Sequence, residues 1–433
     1  MTELTMNSVS AINAELLKDP TLRLARNAVA VSSATKVALN REAVRSLDTS
    51  VSTKVDSWTV ANQKKSGRCW IFAGLNSLRG AIMKETAIKD FELSQTYIHF
   101  WDKVEKANYF LCAMDELRDR DLTDRTVEKL LHDPIDDGGQ WNMFVALVQK
   151  YGVVPQYAMP ETFSSSNTYA MNRDLASVLR RGALRIRDGV PGAREEALES
   201  APKVITTHLG VPPETFQWQY RTKDDDFVRE GTLTPLDFAQ RYLPDDLGDY
   251  VCVVNDPRNA FGELYTVEYL GNVVGAPPVT YVNAPIEVLR DAVRDSLIDA
   301  TPVWFGCDTE VQAYSDAGLW DAHLFDYEGL YGVNFDMSKT QRLLTGDSLM
   351  THAMVFTGMD LAEDGTTVNR WRVENSWGTE KADKGFWTMS DSWFEEYVFE
   401  VAVPASRLPE EYRQALTKTP HVLPAWDPMG ALA

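Results

Sequence analysis

Apolar residues recur at spacings of three and four over residues 69–84, where Ile71, Leu75, Leu78 and Ile82 fall on one face of a 3.6-residue period. That spacing predicts an amphipathic helix. Residues 141–151 predict a second, with Trp141, Phe144, Val145 and Val148 on one side and Gly152 as its stop. Further helical patterns cover residues 172–187 and 194–208, with a short patch at 12–17. From about position 300 the texture changes to TPVWFGCD, THAMVFTGM, NRWRVENSW and KGFWTMS, short aromatic and β-branched runs bounded by Gly, Asp or Asn that read as strands.

Helices early and strands late predict an α+β chain with a helical lobe and a sheet lobe. Active sites often lie between such lobes. The expected organisation has five parts. Residues 1–57 form an N-terminal arm without a clear core of its own, and 58–163 a helical lobe. A polar loop at 164–169 opens a mixed region, 164–290, with an acidic run at Asp224, Asp225 and Asp226 and several prolines, which reads as inserted material. Residues 291–415 form the sheet lobe and 416–433 a C-terminal arm. No internal repeat or low-complexity tract interrupts the chain.

Composition narrows the function. Apolar residues make up 44% and aromatics 10%, enough for large cores. The formal net charge of −20 disfavours nucleic acid and anionic membranes, whose binding depends on Lys and Arg. No apolar run reaches membrane length, and the first residues carry no continuous apolar signal segment. Cys69, Cys112, Cys252 and Cys307 are too scattered for a disulfide framework or a zinc knuckle, and no His-Glu-x-x-His stretch exists. A reducing cytoplasm, no metal and no cofactor are therefore the expectation.

The chemistry concentrates in QKKSGRCWIF, residues 63–72. Cys69 follows Lys64, Lys65 and Arg68 and opens the first predicted helix, where the helix dipole favours a thiolate. A small buried hydrophobe is the other reading of such a cysteine. A nucleophilic thiol needs a histidine, which can take its proton and then protonate the leaving group. His99, His132, His208, His323 and His421 show no polar partner in an apolar strand. His352 opens the apolar run Ala353-Met354-Val355-Phe356 and needs its ring nitrogens satisfied if buried. If residues 371–377 are extended, Asn375 shares a face with Trp371, Val373 and Trp377, and its amide could meet His352 while Trp377 shields the bond. An Asn capping a turn before Ser376 and Gly378 fits the same stretch. Gln63, six residues before Cys69, could supply an oxyanion donor; alone it reads as a surface glutamine.

Together these residues resemble the papain-like cysteine peptidases: Gln63-x-x-Ser66-Gly67-x-Cys69-Trp70-x-Phe72, His352-Ala353-Met354 and Asn375-Ser376-Trp377-Gly378. The resemblance implies that Cys69 is the nucleophile, His352 its acid and base, Asn375 the orienter and Gln63 the oxyanion donor. It also implies that Gly138 and Gly139, in DDGGQW, bind the substrate main chain. His352 follows Cys69 by about 280 residues, where about 130–150 is usual, so roughly 140 are extra. That departure, with NQKKSGRCWIF, FELSQTYIHFWDKVEKANYFL, GDSLMTHAM, WRVENSWG and the ending PAWDPMGALA, resembles the bleomycin hydrolase and aminopeptidase C group along nearly the whole chain. Glu374, where secreted papains commonly carry lysine, favours that group too.

The resemblance implies a papain-like two-lobed fold: a helical lobe, an antiparallel barrel-like sheet lobe, a large inserted helical and hook region, and a C-terminal arm reaching the cleft. It implies a cytoplasmic homohexamer that takes peptides with a free N-terminus, whose α-ammonium would meet the carboxylate of Ala433. Pro424 and Pro428 stiffen that arm against helix formation, although a disordered tail also fits the sequence. An endopeptidase with an open cleft is the nearest alternative. A cysteine acyltransferase or amidase and an inactive assembly scaffold are more distant.

Overall fold

A computed structural model describes residues 1–55 and 58–432 of the chain. Three helices of the first lobe pack together: Cys69–Thr86, Gln95–Glu116 and Trp141–Tyr151. The expected helix over 69–84 runs two residues further, to Thr86, and Ala87 ends it in a left-handed conformation. The one over 141–151 forms over that span. Gly152 terminates it at φ 72°, where a Cβ would lie 2.2 Å from the Pro235 carbonyl oxygen, so no other residue fits.

Gln95–Glu116 is the longest of the helices that pattern reading missed. Ser94 caps it by accepting from the Tyr97 amide at 3.1 Å. Its buried face carries His99, Asp102, Lys103, Glu105 and Lys106 among apolar residues, which cancels the amphipathic signal. Tyr169–Arg187 and Ala193–Leu209 form a helical hairpin against it, close enough that a Cβ on Gly182 would be 2.6 Å from Ala197.

The second lobe is built on one large mixed sheet. Its central strands lie in the order Tyr250–Val254, Val398–Pro404, Val303–Cys307, His352–Leu361, Val368–Glu374 and Phe386–Ser390, all antiparallel to their neighbours. Leu264–Val267, Tyr281–Asn283 and Tyr250–Val254 come from the span expected to be inserted, yet they extend this same sheet.

His352–Leu361 shows why its apolar run lacks alternation. Ala353 and Val355 face the cluster that contains the Cys69 helix, and Met354 and Phe356 face a second cluster with Ile286–Ile298. Both faces are covered, so both sets are apolar. The strand begins at His352, paired with Cys307, and so delivers the histidine to the sheet's end beside the Cys69 helix.

In the N-terminal segment the first helix, Met6–Leu16, has no buried residue. Ala38 and Leu39 pack with Leu319, Leu324, Phe325 and Leu330.

Candidate active site

Cys69 is the first residue of its helix and 4% exposed, with Sγ 3.9 Å from the Gly67 carbonyl. Its loop is tied down from below. The Gly67 amide donates to Asp137 Oδ2 at 3.0 Å, and the Trp70 indole donates to the Asp137 carbonyl at 2.6 Å. Asp137 in turn accepts from Lys103 at 2.8 Å and from Asn172 at 2.8 Å, and it faces the His99 ring at 3.4 Å. His99 thus has the buried polar partner that the sequence did not reveal. Burial lowers it to about 4, against the pull of Asp137.

Of the positive charge expected beside the thiol, that of Arg68 is neutralised elsewhere. Arg68 is fully buried and makes a two-pronged ion pair with Glu161 at 2.9 and 2.8 Å, holding that carboxyl down at about 2 against its burial. Burial therefore governs Cys69 and pushes its thiol up to about 11, opposed by the backbone amides of Ala353 and Trp70.

The Ala353 amide belongs to the residue next to His352, so the thiol lies beside the start of the strand that carries the imidazole. His352 Nε2 and Asn375 Oδ1 are 3.0 Å apart. An amide oxygen only accepts, so Nε2 carries the proton and Nδ1 is left with a free lone pair. Burial lowers His352 to about 4, opposed by that hydrogen bond. The strand behind Asn375 ends at Glu374 rather than continuing to residue 377. Gly378, at φ 76° with Asn62 against it, turns the chain there. Asn375 consequently reaches His352 from the strand's end rather than from its face. Trp377 still covers the ring, with centroids 5.1 Å apart and the indole 36% exposed.

Gln63 is buried, not a surface residue. Its Nε2 donates to the Ser66 carbonyl at 2.6 Å, its Oε1 accepts from the Ser376 hydroxyl, and its amide donates to the Ser376 carbonyl at 2.8 Å. One Nε2 proton stays available. Gly139 donates its amide to the Leu432 carbonyl at 2.8 Å, so the glycine pair already holds a peptide strand: the chain's own C-terminal segment. A Cβ at position 139 would be 2.5 Å from the Trp70 ring. Lys106, unrecognised from sequence, donates to the Gly138 carbonyl and pairs with Asp102 at 3.3 Å. A charged pair four residues apart inside an apolar helix was the available signal.

The arm is anchored along its length. Residues His421–Leu423 pair with Leu264–Val267, and the Met429 carbonyl accepts from Tyr281 at 3.2 Å and Gln140 at 3.4 Å. A cavity of about 450 Å³ runs beside it, lined by Lys106, Leu349, Asp427, Gly430 and Ala431. Ala433, expected to meet the substrate amine, lies outside the described residues. Among the described residues no group of three or more His, Cys, Asp or Glu is arranged to hold a metal, and no helix is long and apolar enough to cross a membrane.

Known proteins match the chain along nearly its whole length. The Peptidase C1-like family model matches residues 3–430. The chain belongs to the peptidase C1-like family. Bleomycin hydrolase of Gallus gallus is 42% identical over 452 residues, covering 99% of each chain. Aminopeptidase C of Lactobacillus delbrueckii subsp. lactis is 37% identical over 445 residues, covering 100% of this chain and 99% of its own. The crystal structure of PepW from Lactobacillus rhamnosis HN001 superposes with a TM-score of 0.97 at 37% identity, covering both chains completely. The expected papain-like α+β fold is therefore the observed one.

Proposed function

We propose that this chain is a cysteine-type aminopeptidase in which Cys69, His352 and Asn375 carry the reaction and the C-terminal arm selects a free substrate amine. His352 Nδ1 takes the Cys69 proton, and the thiolate attacks the carbonyl carbon of the substrate's first residue. The C–N bond then breaks as the imidazolium returns its proton to the leaving amine, and water, deprotonated by the same ring, hydrolyses the thioester. Asn375 holds the ring's tautomer, and Trp377 keeps water from that hydrogen bond. Gln63 and the Cys69 amide hold the oxyanion, at about 3 kcal/mol of barrier per donor.

The observation that supports this reading is the Gly139–Leu432 hydrogen bond, which joins the arm to the glycine we assign to the substrate main chain. A terminal carboxylate there meets a substrate α-ammonium. At about 4 Å and an effective dielectric near 20 the attraction is about 4 kcal/mol before desolvation. Relatives named aminopeptidase C support the exopeptidase reading over an open endopeptidase cleft.

Paired rates on one fluorogenic peptide, amine free and acetylated, test it, with Cys69→Ala as control. Cleavage confined to the free amine is the expected result; comparable rates on both overturn the arm's role and leave an endopeptidase. For assembly and location we adopt the resemblance's cytoplasmic homohexamer. Exposed Met6, Ile12 and Leu16 on the first helix are apolar surface consistent with subunit contact. Light scattering that gave a monomer at micromolar concentration would reject that assembly.

A further inference from the structure

Besides the bonds from Tyr281 and Gln140 to the Met429 carbonyl, one guanidinium ties the arm's last turn to the body of the protein. Arg258 Nη2 donates at 2.8 Å both to Asp256 Oδ2 and to Asp427 Oδ1, while Arg258 Nε donates to Asp256 Oδ1 at 2.9 Å. The three side chains are 12%, 2% and 9% exposed. Asp256 is fixed independently: its amide donates to Asn283 Oδ1 at 2.9 Å, and its Oδ2 accepts from Asn259 at 2.8 Å. Asp427 is the arm's own residue, and it organises the arm's final turn. Its Oδ1 accepts from the Met429 amide at 2.9 Å, and its carbonyl accepts from Gly430 at 2.9 Å. That short turn leads directly to Leu432 on Gly139.

Two carboxylates share one nitrogen of one cation, so the sign of the contact depends on that cation. With it, the arm is drawn to the body of the protein. Without it, Asp256 and Asp427 face each other in a poorly solvated site and repel.

We infer that Arg258 is a specificity-positioning residue: by bridging Asp427 to Asp256 it keeps the C-terminal turn in the cleft and thereby excludes peptides whose amine is blocked. This rests on the reading of the arm given above. Arg258 touches no reacting atom and acts through Asp427 alone. Arg125 over the Trp426 ring at 4.0 Å lies before the turn, and the bonds from Tyr281 and Gln140 to the Met429 carbonyl hold its far side, so the Arg258 bridge is the charged contact at the turn's start.

The test is the ratio of kcat/KM for an acetylated peptide to that for the same free-amine peptide, in the full-length enzyme. Arg258→Gln is expected to raise the ratio at least about tenfold, since losing one member of a buried hydrogen-bonded charge group commonly costs more than that. Arg258→Lys keeps the charge and is expected to stay near the wild-type ratio. If Arg258→Gln does not fold, Asp427→Asn, which retains the cap on Met429, is the second variant and is expected to raise the ratio as well.

A merely structural arginine would lower both rates together and leave the ratio unchanged, which overturns the inference. Deleting residues 430–433 separates this failure from that of the arm reading. A ratio raised by the deletion but not by Arg258→Gln or Asp427→Asn refutes the latch alone. A ratio unmoved by the deletion refutes both.

Discussion

Arg79 and Glu374 form an ion pair that is 1% and 0% exposed and joins the helix opened by Cys69 to the strand that ends one residue before Asn375. Trp58 donates to the second carboxylate oxygen at 2.7 Å, and its ring lies 4.8 Å from the Arg79 guanidinium. Cys69 and Asn375 come from different lobes, and this pair ties the two elements that carry them. Arg79→Met leaves the buried carboxylate without its ion-pair partner, with only Trp58 and the field of Arg372 to offset its charge, and is expected to cost about 3–5 kcal/mol. Adding Glu374→Leu to it is expected to recover much of that loss. Urea denaturation measures both; a loss below about 1 kcal/mol in the single variant would show that the pair does not couple the lobes.

Burial decides which elements were legible in the sequence. Helix 141–151 buries one stripe, and helix 69–86 does so beyond Asn76, through Leu78, Arg79, Ile82 and Thr86, so their period survives in the residue types. His352 stood out because a histidine heads a run apolar on both faces. Gln95–Glu116 was hard to read because, beyond the Asp102–Lys106 pair within the helix, its buried charges find their partners in tertiary space, Asp102 at Asn272, Lys103 at Asp137 and Lys106 at Gly138. Arg68 was misread for the same reason: its partner Glu161 is 93 residues away. The Arg258–Asp427 contact spans 169 residues and leaves no local trace.

Gln63 is held at both ends of its amide, by the Ser66 carbonyl and the Ser376 hydroxyl, which leaves a single N–H for a developing oxyanion. Gln63→Ala is expected to lower kcat by about 10²–10³ with little change in KM, as loss of one such donor does in other acyl-transfer enzymes. Steady-state kinetics on the free-amine peptide decide the point. A kcat within a few-fold of wild type would remove Gln63 from the mechanism.

Glu400 is fully buried on the sheet's inner side, and neither carboxylate oxygen has a hydrogen-bond partner among the described residues. Burial raises it to about 8, opposed by the neighbouring Cys252 thiol. A carboxyl raised on folding contributes its full stability below its unfolded value near 4.5 and loses it as pH climbs towards 8. Glu400→Gln removes that loss. It is expected to stabilise the protein by roughly 3–5 kcal/mol at pH 8 and hardly at all at pH 4. Urea curves at the two pH values check this, and an equal gain at both would contradict it.

Cys69 and His352 are driven in opposite directions by one cause, burial beneath a cleft in which Leu432 and Met429 share the thiol's apolar cluster. With the thiol at about 11 and the imidazole at about 4, both groups are neutral across the physiological range while the arm is seated. Hydration reverses both shifts, lowering the thiol towards 9.0 and raising the imidazole towards 6.5, so thiolate and imidazolium become easier to form together. Deleting residues 430–433 admits that water. Alkylation of Cys69 by iodoacetamide at pH 7 is therefore expected to accelerate at least about tenfold, because each unit of thiol shift multiplies the thiolate fraction by ten. Peptide mapping must assign the label, since Cys112 is also partly exposed. The wild-type rate should climb only at high pH, and the truncated enzyme should reach the same rate at a lower pH. Superimposable pH profiles for the two proteins would mean that the arm does not control the solvation of the thiol.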